Sequence, residues 1–317
     1  MSEKFTLQCG WCDRAAPSSG RLRCGDCNGP LKVNVALPRL LGGKAGAEGL
    51  RDRGLPGLWS WFDLLPISDR GAVVSLGEGR TPLLPSAHLG RTLGVETLLF
   101  KDETRNPTGS FKDRMLAVGV TRAVAEQLAF DLPDWMIVPV GGGGNIGSLW
   151  RGFLDLRALG LVERLPRMLG VQAEGCAPFV DAVRLGLSAP EALERRWPVI
   201  ETLAGAIADD VVFDAHVALP AVRDSGGTAV AVSDADTLAM QAALAASEGL
   251  FVEPASATSL AAIPALLADG RIERHHRVLV LLTGTGLKDP ASARRLVRPV
   301  VRIPLNRRAL AAAAAST

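Results

Sequence analysis

Hydrophobic and polar positions follow two periods along this chain of 317 residues. Short apolar runs, typical of buried strands, alternate with longer segments in which apolar residues recur every three or four positions, as on one face of a helix. The predicted strands cover 98–100, 135–140, 168–173, 228–232 and 278–282, and the predicted helices cover 112–129, 146–159, 234–247 and 256–267, with one more after Cys176. This alternation predicts an α/β fold, with a mostly parallel sheet and flanking helices.

The predicted helix over 112–129 begins in an unusual way. A turn-forming run, Asn-Pro-Thr-Gly-Ser at 106–110, precedes it, and Ser110 is a suitable N-cap. Lys112 then falls in the first turn, where a cation is unfavourable because the helix N-terminus carries positive partial charge. A solvated lysine is the simplest interpretation, but the surrounding sequence favours a functional one. The apolar positions that define this helix are Leu116, Val120, Val124 and Leu128.

A run of four glycines lies between a predicted strand and a predicted helix. It consists of Gly141, Gly142, Gly143 and Gly144, and Asn145 follows it. Bare backbone N–H groups at a helix N-terminus bind phosphate well, so the run is predicted to be a phosphate-binding loop rather than a flexible linker. No Gly-Lys-Ser/Thr follows, which excludes a P-loop. Thr283-Gly284 also follows a strand, so both segments could converge on one ligand beyond the carboxyl ends of the sheet.

Two Cys-x-x-Cys pairs lie near the N-terminus, at Cys9, Cys12, Cys24 and Cys27. Paired cysteines of this spacing present two thiolates to one tetrahedral ion, and two pairs complete a closed site. Two disulfides are the alternative, but a reducing cytosol disfavours them. We therefore predict a structural zinc site in a zinc-ribbon-like segment, with no coordination position left for water.

A series of motifs in this chain resembles the threonine synthases, which are pyridoxal-phosphate (PLP) enzymes of the tryptophan-synthase-β-like group, known as fold type II. The matching segments are 75–83, 101–103, 106–114, 138–145, 253–257 and 283–289. The resemblance implies that Lys112 forms a Schiff base with pyridoxal 5′-phosphate. It also implies that Gly141–Gly144 and Asn145 hold the cofactor and that Thr283 forms a hydrogen bond with the pyridine nitrogen. Some members carry a similar arrangement of N-terminal cysteine pairs.

The resemblance further implies a lyase that converts O-phospho-L-homoserine and water into L-threonine and phosphate, with Lys112 moving the proton at Cα. One block of the family is missing. Relatives insert a small domain with a Ser/Thr-x-Gly-Asn "asparagine loop" after the lysine helix, whereas only 28 residues separate Lys112 from Gly141 here and the motif does not occur.

Three functions remain open from the sequence. The first is a working lyase of threonine-synthase type, or another PLP-dependent β/γ-elimination enzyme acting on an amino acid, with a reduced site or one shared between subunits. The second is a PLP-binding paralogue without catalytic activity. The third is a zinc-ribbon interaction protein on an inherited α/β scaffold.

Composition and charge limit the classes of binding partner that we expect. Lys plus Arg (35) nearly balance Asp plus Glu (33), so no overall field predicts nucleic-acid binding. No apolar run reaches the length of a membrane span, and the first residues lack a signal-peptide core. We expect a cytoplasmic homodimer with a small amino-acid substrate. The predicted domains are a zinc-ribbon-like segment at 1–32, a connector at 33–70, a PLP-binding α/β domain at 71–309 and a tail at 310–317.

Two further residues carry expectations. Cys176 is a lone thiol, which we expect to be packed rather than catalytic. Glu253, at the start of the segment 253–257, is expected to form part of the pocket wall or to cap a helix.

Overall fold

A computed structural model describes residues 4–17, 23–36, 54–67, 69–114, 123–295 and 307–308. A small antiparallel sheet lies at the N-terminus, and its strands are β1 (Phe5–Cys9), β2 (Ala15–Ala16) and β3 (Leu31–Val35). Strand β1 pairs with both others. The described residues 4–17 and 23–36 are called the ribbon below. The cysteine pairs lie at one end of it, since Cys9 ends β1 and Cys24 and Cys27 precede β3.

The larger sheet consists of β4 (Leu83–Pro85), β5 (Thr97–Asp102), β6 (Trp135–Pro139), β7 (Arg167–Ala173), β8 (Thr228–Val232) and β9 (Arg277–Leu282). The order is β4-β5-β9-β6-β7-β8. Strand β4 pairs antiparallel with β5, and the other described pairs are parallel. The mostly parallel sheet predicted from the sequence is therefore confirmed.

Helices connect these strands. They are α1 (Leu89–Leu93), α2 (Gly144–Ala158), α3 (Pro178–Arg184), α4 (Ala189–Glu194), α5 (Ala215–Asp224), α6 (Asp234–Glu248), α7 (Pro254–Ala261), α8 (Ile263–Ala268) and α9 (Pro290–Arg294). Short 3₁₀ helices cover Gly57–Leu64, Arg70–Ala72, Glu103–Arg105, Phe111–Arg114, Gly205–Ile207 and Gly286–Lys288. The prediction of one helix over 256–267 is wrong, because Pro264 has no N–H to donate and the helix divides at Ala262.

The predicted lysine helix is described at its two ends. Its start, Phe111–Arg114, is a 3₁₀ turn rather than an α-helical one. Residues 123–127 are helical, and the chain then leaves the helix through Ala129 and Phe130, whose φ angles are 51° and 62°. Leu116 and Val120 lie outside the described residues.

Apolar layers cover both faces of the sheet, which is typical of parallel strands. Alternate side chains of β6 show the division. Met136 and Val138 join a cluster with α2 and α5, whereas Trp135 and Ile137 join a cluster with α7 and α8. Because both faces are covered by helices, the edge at the carboxyl ends of the strands is the open place for a ligand.

The aromatic connector packs against this core. Trp61 and Phe62, in the 3₁₀ helix Gly57–Leu64, are buried, and Trp61 belongs to the core cluster with α2. This part of the connector therefore packs against the α/β domain. The boundaries at 32, 70 and 309 stay predictions, and the tail at 310–317 lies outside the described residues. None of the helices in the described ranges has the length and apolar character needed to cross a bilayer.

Candidate active site

The carboxyl ends of β6 and β9 lie side by side because these strands are adjacent and parallel. The glycine loop (Gly141–Gly144) follows β6, and Thr283 follows β9. The lysine turn (residues 106–114) reaches the same edge through backbone pairing. Phe111 N–H donates to Thr283 O at 2.9 Å, and Thr285 N–H donates to Gly109 O at 3.0 Å. The fold therefore brings three segments together that are far apart in sequence.

A cavity of about 500 Å³ lies between these segments, a size typical of small-molecule sites. Its lining includes every residue predicted to bind the cofactor, namely Lys112, Gly141, Gly142, Gly143, Gly144, Asn145 and Thr283. Four charged side chains line it within the described residues: Lys112, Lys288, Asp209 and Glu253. The cavity thus presents an amine, bare backbone and a hydroxyl to one bound molecule.

Buried polar groups hold the lysine turn against the sheet. The Asn106 side chain donates to Glu103 Oε2 at 2.7 Å and accepts from Gly79 N–H at 3.0 Å. Gly109 has a φ of 69°, and a methyl group built on it would lie 2.7 Å from Thr285 Cγ2. The Asn-Pro-Thr-Gly-Ser run is therefore required both for its turn conformation and for its close approach to the segment after β9.

Local hydrogen bonds orient the start of the 3₁₀ helix. Ser110 Oγ accepts from Lys112 N–H at 3.3 Å, so Ser110 has the predicted N-cap role. Asp113 Oδ2 accepts from Thr108 N–H at 2.7 Å and so closes the turn from the other side. These contacts fix the backbone of Lys112 at the cavity wall.

The glycine loop is a tight turn into α2. Gly143 stands at the N-cap of α2 with a φ of 101°, and a methyl group built on it would lie 2.7 Å from Ala218 Cβ. A methyl group on Gly141 would lie 2.5 Å from Asp209 Oδ2. Side chains are thus excluded from the loop, and the first N–H groups of α2 remain available to an anion.

Asn145 provides a direct test of fit. Its Oδ1 and Nδ2 are both buried, and neither has a hydrogen-bond partner in the described structure. A buried amide without partners is costly, so these atoms suit the polar atoms of a bound ligand. With the exposed backbone of the glycine loop and the amine of Lys112, the site has donors for a phosphate and a nucleophile for an aldehyde. These are the groups that pyridoxal phosphate carries.

The Thr283 hydroxyl lies within hydrogen-bond distance of two polar side chains, one in α7 and one at the N-cap of α7. Its Oγ1 lies 2.8 Å from Ser256 Oγ and donates to Glu253 Oε1 at 3.4 Å. Burial raises the pKa of Glu253. The charges of Lys288 and Lys112 and the hydrogen bond from Thr283 partly offset this rise. Glu253 occupies the N-cap position of α7, but its side chain makes no capping hydrogen bond. Its position in the cavity lining supports the pocket-wall interpretation.

Sequence reasoning missed the wall of the cavity that precedes α5. Ala206, Ile207 and Asp209 line it; the first two lie in the short 3₁₀ helix Gly205–Ile207 and the third follows it, and no motif marks this segment. The pair Asp209-Asp210 before an apolar run was the available signal. Cys176 Sγ donates to Asp209 O at 3.2 Å, and burial raises the pKa of this thiol to about 11. The prediction that Cys176 is packed is confirmed.

The four N-terminal cysteines form a cluster. Their sulfur atoms all lie within 4.8 Å of one another, and all five cysteines of the chain are free thiols. The Cys9–Cys27 and Cys12–Cys24 sulfur separations are 3.4 Å and 3.8 Å. A tetrahedral zinc ion with Zn–S bonds of about 2.3 Å holds its sulfurs about 3.8 Å apart, so the cluster fits this ion.

Comparisons with known proteins agree with the site. A family model described as "Pyridoxal-phosphate dependent enzyme" matches residues 74–128 and 120–284. The threonine synthase of Methanocaldococcus jannaschii is 31% identical over 376 aligned residues, which cover 88% of this chain and 91% of the relative. The threonine synthase of Methanosarcina acetivorans is 31% identical over 365 residues, covering 84% and 88%.

Solved structures share the fold. The crystal structure of a fungal L-serine ammonia-lyase from Rhizomucor miehei superposes with a TM-score of 0.56 at 14% identity, over 68% of this chain and 98% of that one. The processed form of threonine deaminase isoform 2 from Solanum lycopersicum gives 0.55 at 13% identity, over 68% and 87%. At these identities the likeness concerns the fold alone.

The α/β fold and the shared cavity agree with the pyridoxal-phosphate dependent enzyme family, to which the chain belongs because the family model matches more than half of it. Within that class, the chain belongs to the threonine synthase family, as the identity over most of its length shows. The 376 aligned positions exceed the 317 residues of the chain, so the relative has positions without a counterpart here. This agrees with the internal segment missing after the lysine helix.

Proposed function

We propose that this chain is a PLP-dependent carbon–oxygen lyase of threonine-synthase type. It would convert O-phospho-L-homoserine and water into L-threonine and phosphate. The observation that carries this proposal is the cavity in which Lys112, the glycine loop and Thr283 meet. The curated relatives named threonine synthase support the choice of substrate.

Each part of the site has a defined task. The backbone N–H groups of the glycine loop would hold the cofactor phosphate, and the Lys112 amine would bind its aldehyde. When bound, the cofactor supplies an electron sink for the carbanion at the substrate Cα. The Lys112 amine would also take the proton from the substrate Cα and return it. Over the reaction the Cγ–O bond to phosphate breaks and Cγ gains a proton to become the methyl group, while Cβ loses a proton and takes the hydroxyl of water.

Thr283 tunes the cofactor electronically. Its hydroxyl would face the pyridine nitrogen, and a hydroxyl does not enforce protonation of that nitrogen as a carboxylate does. Glu253 lies behind Thr283, with its Oε1 accepting from the Thr283 hydroxyl at 3.4 Å, and burial raises the pKa of this carboxyl. This arrangement suits elimination and replacement chemistry.

A PLP-binding paralogue without turnover is the second candidate, and one observation favours it. No Ser/Thr-x-Gly-Asn motif is present, so the chain lacks the family's donors for the substrate carboxylate. A second copy of the chain could place other donors at the substrate carboxylate, and the predicted homodimer is retained as a proposal for that reason. The cytoplasmic location likewise stays a prediction.

One experiment separates these candidates. Pyridoxal phosphate is added to the purified full chain, and we expect a visible absorption band that borohydride converts into a covalent label at Lys112. O-Phospho-L-homoserine is then supplied and phosphate release is measured, which we expect to be enzyme-dependent. A label without phosphate release would contradict the threonine-synthase reaction and leave the paralogue or an elimination enzyme that acts on another amino acid. No band and no label would contradict both candidates.

We also propose that the cysteine cluster (Cys9, Cys12, Cys24 and Cys27) holds structural zinc. Cys24→Ser removes one of four sulfur ligands, so we expect the zinc content to fall from about one ion per chain to well below it. Cys176→Ser is the matched control, because Cys176 is a buried thiol outside the cluster. Equal zinc content in both variants, measured by atomic emission, would disprove the site.

A further inference from the structure

The ribbon touches the main domain closely at a glycine inside the cysteine cluster. Gly10 lies between Cys9 and Cys12, and a methyl group built on it would lie 2.5 Å from Cδ2 and 3.0 Å from Nε2 of His216. The ribbon backbone therefore rests directly on the His216 ring. The cluster sets the position of this backbone, because Trp11 N–H and Cys12 N–H donate to Cys9 Sγ at 3.3 Å and 3.5 Å.

The His216 ring acts here as a packing surface. It belongs to the first turn of α5, and its Nδ1 is buried without a hydrogen-bond partner in the described structure. Burial lowers the pKa of His216, against the opposite influence of Asp214, and so favours the neutral ring. The contact of the His216 ring with Gly10 is therefore one of van der Waals packing rather than of charge.

The same turn of α5 supports the glycine loop. Asp214 N–H donates to Gly142 O at 2.7 Å. A methyl group on Gly143 would lie 2.7 Å from Ala218 Cβ, and one on Gly147 would lie 2.5 Å from Val217 Cγ2. The Ala218 and Val217 side chains of α5 therefore pack directly against the backbone of the loop and of the first turn of α2, so a shift of α5 must move the loop.

A second contact joins the ribbon to α2 itself. Arg151 Nη1 donates to Asn34 Oδ1, on β3, at 3.3 Å. The ribbon thus touches both helices that shape the glycine loop. A domain attached only through a flexible linker would need neither of these two contacts.

We propose that the ribbon positions the phosphate-binding glycine loop, and that His216 is the positioning residue that connects the state of the cysteine cluster to it. The inference rests on the proposed function, because it assigns the loop to pyridoxal phosphate. An ion holds four thiolates together, whereas the empty cluster has no such restraint. Without the ion Gly10 loses its fixed position, and the turn that bears Asp214 and His216 relaxes.

The test measures cofactor affinity in two metal states. The full chain is prepared zinc-loaded and zinc-stripped with a chelator, and each form is titrated with pyridoxal phosphate by absorbance. We expect the stripped form to bind about tenfold more weakly, a typical coupling between two sites. Linkage requires the reciprocal effect, so pyridoxal phosphate should tighten zinc binding by the same factor.

Three variants assign this coupling to the contact. His216→Ala removes the ring, so we expect zinc to bind as before while the cofactor affinity no longer depends on it. His216→Phe keeps a flat ring and should keep the dependence. His275→Ala is the matched control, because the His275 side chain is 68% exposed. The unfolding midpoint of each variant separates this effect from a general loss of stability.

Several results would overturn the inference. They are equal cofactor affinity with and without zinc, full zinc dependence in His216→Ala, and a chain that takes up no zinc. A chain that binds no pyridoxal phosphate in either metal state would contradict the proposed function as well. The failure of one proposal can thus be told from the failure of the other.

Discussion

Lys112→Ala should abolish the borohydride-stable label and reduce phosphate release by at least 10²–10⁴-fold, which is about the contribution of one general acid–base residue. The reason is that Lys112 has two tasks, the covalent attachment of the cofactor and the movement of the Cα proton. The measurements are peptide mapping after borohydride treatment and phosphate release at saturating substrate. Lys112→Arg should behave the same way, because it keeps the cation without a nucleophilic amine.

The cavity offers its own control for this experiment. Lys288 also lines it within the described residues, so Lys288→Ala removes a second amine from the same space. We expect this variant to retain the label at Lys112. A borohydride label found on Lys288 in the wild-type chain would disprove the assigned role of Lys112. Full turnover of Lys112→Ala would disprove it as well.

Much of the site could be predicted because its signals are local. A strand, four glycines and a helix follow one another directly, so the phosphate-binding loop is readable from a short stretch of sequence. Strand β8 was predicted with the bounds Thr228–Val232 that the structure shows. The glycines before it and Ser233 after it, which caps α6, mark both ends.

The features of the fold and the site that the sequence did not predict depend on contacts between segments that are distant in sequence. That β9 lies between β5 and β6 is a matter of crossover topology, and no local pattern specifies it. Asp209 reaches the cavity because the loop before α5 folds back over the glycine loop. The contact between Gly10 and His216 joins residues more than two hundred positions apart. Local periodicity contains no information on such pairs.

A buried ion pair joins the site to the sheet. Arg114 Nε lies 3.0 Å from Glu103 Oε2, and both side chains are almost fully buried. Glu103 also accepts from Asn106 at 2.7 Å and from Thr81 at 2.7 Å. The Glu103 carboxylate therefore binds three segments. It accepts from Thr81, just before β4, and from Asn106 at the start of the lysine turn, and it pairs with Arg114 in the 3₁₀ helix that bears Lys112. Charges of this kind are costly to bury, so the network is sensitive to the loss of one member.

Glu103→Gln should lower the free energy of unfolding by about 3–5 kcal/mol, because it removes the charge that compensates a buried guanidinium. Denaturant unfolding followed by circular dichroism measures the change. Glu273→Gln is the matched control, since the Glu273 side chain is 59% exposed beside His275 and exposed ion pairs contribute about 0–1 kcal/mol. We expect that variant to unfold almost as the wild type does.

A double variant distinguishes the ion pair from simple loss of packing. Glu103→Gln with Arg114→Met removes both charges at once, so it should recover part of the stability lost in Glu103→Gln alone. If the two losses merely add, the pair does not interact, and the lysine turn is held by Asn106 and Thr81 instead. In that case Asn106→Ala should be the more damaging change, because Asn106 also donates to Glu103, at 2.7 Å.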